Sequence, residues 1–180
     1  MKTWTVDEML AEYILDPRVE CQIESAWPGR ATVSLLEIVE EFPLSDFHRL
    51  VIALKPGVLA PQVRNQWGLF VSRRALTRAL CMCGEVPVCN VSGWRDWARK
   101  WIMGDRKRIF DKHSYPLMLP TSAHCATEAV LCFSNDRMLD VSCFARRCAE
   151  WAACIGAGDV AEEDSQQVQD LLALRGEWAL

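Results

Sequence analysis

A chain of 180 residues with a net charge of -4 and a hydrophobic fraction of 51% can bury a substantial core without disulfides, and as a whole it has no general attraction for nucleic acid. No apolar run approaches the roughly 20 residues that span a bilayer. The acid-containing start MKTWTVDEMLAEYI lacks the basic and apolar regions of an export signal, so a cytoplasmic protein of a bacterial host, with its nine cysteines reduced, is the expectation.

Thr5 followed by Glu8 is a capping-box pattern and predicts a first helix over 6–14. Asp16-Pro17 places a cap and a first-turn proline ahead of a second, over 18–26, which stops before Trp27-Pro28-Gly29. Ser34 with Glu37 repeats the box before a short helix that Pro43 ends. Ser45 caps the next helix, over 46–54, and Lys55-Pro56-Gly57 breaks it. Pro61 opens the longest helical pattern, 62–81, in which Val63, Trp67, Phe70, Val71, Leu76 and Leu80 keep a 3.6-residue rhythm.

Residues 83–91 read as a loop, after which Ser92 caps a helix carrying Trp94, Trp97 and Trp101. Two prolines mark 111–120 as an extended connection. Thr121 caps a helix reaching about 133, and Asp140 caps another that ends at Gly156 or Gly158. The last helix covers about 161–175, with Val168, Leu171, Leu172 and Leu174 on its apolar side. With no strand alternation and no hairpin dipeptide, the pattern predicts an all-α fold. The expectation is a single-domain bundle of roughly eight or nine helices over 1–180, with a subregion at 1–57.

The charge is unevenly spread. From 94 to 110, six Lys or Arg outnumber the aspartates: Arg95, Arg99, Lys100, Arg106, Lys107 and Arg108. From 149 to 174 there is no Lys or Arg, and the acids include Asp159, Glu162, Glu163, Asp164 and Asp170. The basic stretch, interleaved with tryptophans, suits either a phosphate backbone with stacked bases or a protein-binding hot spot rich in Trp and Arg. The W-x2-W-x3-W spacing shares one helix face and reads as core, which leaves contact with a partner to the flanking charges, Arg106, Lys107 and Arg108 above all. The acidic stretch can imitate nucleic-acid phosphates, although Glu162-Glu163-Asp164 also reads as a solvated first helical turn, where acids complement the helix dipole.

Catalytic chemistry finds little purchase. Cys81-x-Cys83 and Cys89, with His113 or His124 elsewhere, could supply four N/S zinc ligands, but the close pair has a single intervening residue and there is no second knuckle, so thiols packed as small hydrophobes are the simpler reading. A cysteine nucleophile needs a histidine in reach; His124 and Cys125 are sequence neighbours, and such neighbours on a helix do not face each other. Neither a Gly-x-Gly-x-x-Gly nor a Gly-x4-Gly-Lys-Ser/Thr loop occurs, and no cofactor is expected.

The stretch LKPGVL at 54–59, followed by RNQWGLFVSRRAL at 64–76, resembles small all-helical proteins of phages and prophages of the putative-immunity-protein type. Ala98-Arg99-Lys100-Trp101 with Gly104, and the Cys/Ala/Trp-rich helices over 122–155, extend the resemblance across 30–175. The connections at 83–91 and 111–120 depart from it. The resemblance implies a mobile-element accessory protein that acts on another macromolecule, and it brings no catalytic residues. Together with the charge polarity, it leads to the expectation of a non-enzymatic inhibitor. Its partner would be a protein effector, a nuclease such as a toxin or a CRISPR complex, blocked sterically or by acidic mimicry. The alternatives are a nucleic-acid-binding regulator that uses the bases of 95–108 and, behind it, a thiol enzyme or zinc protein.

Overall fold

The computed structural model describes residues 3–5, 8, 25, 27–29, 31–40, 45–55, 57–85, 92–106, 110, 121–154 and 159–178. Two three-residue strands, β1 (Thr3–Thr5) and β2 (Thr32–Ser34), pair antiparallel with Trp4 opposite Val33. The sequence reading missed this ribbon, because three residues are too few to show alternation. Seven α-helices are described: α1 (Leu35–Glu40), α2 (Asp46–Ala53), α3 (Pro61–Glu85), α4 (Ser92–Ile102), α5 (Thr121–Ser134), α6 (Met138–Ala153) and α7 (Val160–Ala173). A single 3-10 turn, Arg175–Glu177, follows. The class is mostly helical as expected, with seven helices rather than eight or nine; most of the two expected over 6–26 lies outside the described residues. So do the connection 111–120 and Cys89.

The chain divides into two compact units, Met1–Arg64 with Gln167–Leu180, and Asn65–Gln166. In the first, local capping chemistry starts the helices. The Ser34 N–H donates to Glu37 Oε2 (2.8 Å) and the Glu37 N–H returns to Ser34 Oγ (3.3 Å), so two backbone donors that a helix start leaves over are satisfied reciprocally. Thr5 and Glu8 form the same box (2.8 and 3.1 Å). Ser45 caps α2 by accepting from the His48 N–H at 3.4 Å. Val33, Leu35, Ile38, Val39, Leu50 and Leu54 are buried in this unit. Arg49 is buried with them, and its guanidinium donates to the Val39 carbonyl at 3.2 Å.

In the second unit, α5 and α6 form a helical hairpin. Its turn is a Schellman closure: the Asp136 N–H donates to Phe133 O (3.1 Å) and the Arg137 N–H to Cys132 O (2.9 Å), with Asp136 at φ 56°. Helix α6 therefore begins at Met138 with Arg137 as its N-cap, not at Asp140 as expected. Asp140 lies in the first turn instead, where it accepts from Arg137 Nε at 2.7 Å and complements the dipole. Helix α3 also runs past the expected 81, to Glu85.

Gly68 in α3 lies against the hairpin. A Cβ built there would meet Met138 Sδ at 2.6 Å and the Phe133 ring at 2.8 Å. Alanine is the better helix former by about 1 kcal/mol, yet Met138 is fully buried and has little room to yield. Gly68→Ala should therefore destabilise this unit by about 1–3 kcal/mol, the overpacking range. Urea denaturation checks the sign: stabilisation would mean that the close packing at Gly68 is not a constraint.

Candidate functional site

Helix α4 is built on its tryptophans. Trp94, Trp97, Ala98 and Trp101 are buried on one face. The Trp94 indole N–H donates to Thr127 Oγ1 at 2.8 Å, Trp97 packs against Phe110 with ring centroids 5.2 Å apart, and Trp101 meets the Phe133 ring edge-on at 6.1 Å. These rings are core, and none forms an open platform for stacking a base.

The opposite edge of α4 is wet and of mixed charge. Asp96, Arg99, Lys100, Asp105 and Arg106 are exposed, and Met103 is 86% exposed. Arg95 is turned inward and donates to the Cys83 carbonyl. Arg106 rides over the Trp101 ring at 5.6 Å, a cation–π contact. Arg99 stands 3.8 Å from Asp96, a fully wet pair of little energetic weight. Lys107 and Arg108 lie outside the described residues.

What shapes this edge is the end of the helix. The Gly104 N–H donates to Trp101 O (3.1 Å) and the Asp105 N–H to Lys100 O (2.9 Å), which is again the Schellman pattern, with Gly104 at φ +109°. The reversal brings Asp105 back beside the last turn. Gly93, Asp96, Trp97, Lys100 and Asp105 then line a shallow hollow of about 130 Å³. Sequence reading missed the hollow. Its available signal was Gly104 following the basic last turn of a helix, a C-cap signature.

The acidic stretch is divided by burial. Glu163, expected in a solvated turn, is fully buried and bound on both oxygens. Arg74 Nε reaches Oε2 at 3.0 Å and Arg74 Nη2 reaches Oε1 at 3.0 Å, while Arg78 Nη1 reaches Oε2 at 2.6 Å. Burial by itself would raise the Glu163 pKa, but the hydrogen bonds and charges of Arg74 and Arg78 outweigh it and hold the carboxyl below its ordinary range. Asp164 is buried as well, with Arg146 Nε 3.2 Å from its carboxylate. Asp159 is exposed but accepts from the Ala161 N–H at 2.8 Å as a helix cap. Glu162 is exposed and Asp170 half-buried. Two of the five candidate carboxylates are therefore spent on internal ion pairs, because the first turn of α7 faces the arginines of α3 and α6 rather than water.

Four of the seven described thiols are packed in the core, while Cys81 and Cys154 are exposed. Cys83, Cys125, Cys132 and Cys148 are buried, and desolvation raises the pKa of each, that of Cys148 to about 12. Cys81 is exposed beside buried Cys83, and among the described residues no three His, Cys, Asp or Glu converge as a metal site. His124 is exposed while Cys125 points inward. Among the described residues no helix is long and apolar enough to cross a membrane. The chain matches no protein-family model, no curated protein and no solved structure.

Proposed function

We propose that this protein is a non-enzymatic inhibitor of the mobile-element type, which binds a nuclease-type effector and blocks it sterically through the outer edge of α4. One observation carries the reading. A nearly fully exposed methionine, two exposed arginines and an exposed lysine stand on the tryptophan-cored helix α4 and the turn that closes it, with Asp96 and Asp105 set among them. Met and Arg are enriched at protein interfaces, and a buried aromatic base pre-organises them so that little ordering entropy is lost on binding. The interleaved carboxylates favour a protein over a phosphate backbone, which a uniformly basic strip would suit better. Steric block is preferred to acidic mimicry because Glu163 and Asp164 are committed internally.

Co-purification with candidate effectors, toxin nucleases and RNA-guided complexes among them, followed by a cleavage assay, tests the reading. A stoichiometric complex with cleavage suppressed is expected; an effector panel neither bound nor inhibited at micromolar protein overturns it. A gel-shift titration in salt separates the nucleic-acid reading. Direct DNA binding that weakens steeply with salt and is lost when Arg106, Lys107 and Arg108 are changed to Ala would favour the regulator instead.

A further inference from the structure

We draw no further inference here: the strongest candidate, the exposed apolar surface of the Asn65–Gln166 unit at Phe70 on α3 and at Leu139 and Trp151 on α6, carries nothing because nothing in the structure shows what covers it.

Discussion

Replacing Glu163 with alanine is expected to lower the stability of the 65–166 unit by about 3 kcal/mol, near the lower end of the range for breaking a buried ion pair. The carboxylate is fully buried, whereas the side chains of Arg74 and Arg78 keep 23% and 16% exposure. Loss of the acid therefore leaves two guanidinium groups that can still turn partly toward water, which holds the effect below the top of that range. Glu163→Gln keeps the shape and should destabilise less. Changing all three residues to apolar ones of similar volume should come closer to neutral than the single change, because no charge is then stranded.

The pH dependence follows with a definite sign. The folded pKa of Glu163 lies below the ordinary carboxyl value of 4.5. Its stabilisation is thus fully present above about pH 4.5 and is lost as pH falls through the folded value. Acid titrations of stability should show a shallower fall below pH 4.5 in Glu163→Gln than in the parent protein. Equal slopes would mean that the carboxylate is not ionised in the buried site.

Trp94→Ala should be the most damaging change in α4, costing about 3–5 kcal/mol as a large aromatic truncated in a closed core. Trp94 is fully buried and its indole N–H has one acceptor, Thr127 Oγ1 at 2.8 Å. Thr127 in turn donates its hydroxyl to the Ala123 carbonyl at 2.7 Å, so its oxygen is free to accept. Thr127→Val removes that acceptor without a change of shape and should cost about 1–3 kcal/mol for the stranded indole N–H. In Trp94→Phe the donor is gone, and Thr127→Val should then cost clearly less. A double-mutant cycle measured by urea denaturation checks the coupling; additive losses would show that the bond contributes nothing.

Local chemistry in the sequence was readable where neighbours in the chain decide the outcome. Ser34 with Glu37, Ser45 as a cap, and Pro61 at a first helical position each place a helix start within a residue of that observed. The tryptophan spacing likewise gave the buried face of α4, because a three-then-four period admits only one side of a helix. What could not be read were partners far apart in sequence. Arg74 and Arg78 stand 89 and 85 positions before Glu163, and nothing near Glu163 distinguishes it from exposed Glu162 beside it. The hollow fell between these cases. Its residues are local, but they converge only once Gly104 adopts a positive φ, so reading it required the backbone conformation as well as the residue types.

The claim that the α4 edge is the inhibitory surface is tested most directly by titrating a bound nuclease effector with the parent protein, Met103→Glu and Glu162→Ala. Both substitutions fall on exposed side chains and should leave folding intact. Met103→Glu is expected to weaken inhibition about thirtyfold or more, as a hot-spot residue worth ~2 kcal/mol would, while Glu162→Ala inhibits like the parent. Full inhibition by Met103→Glu together with its loss in Glu162→Ala would contradict the account and place the contact on the acidic helix.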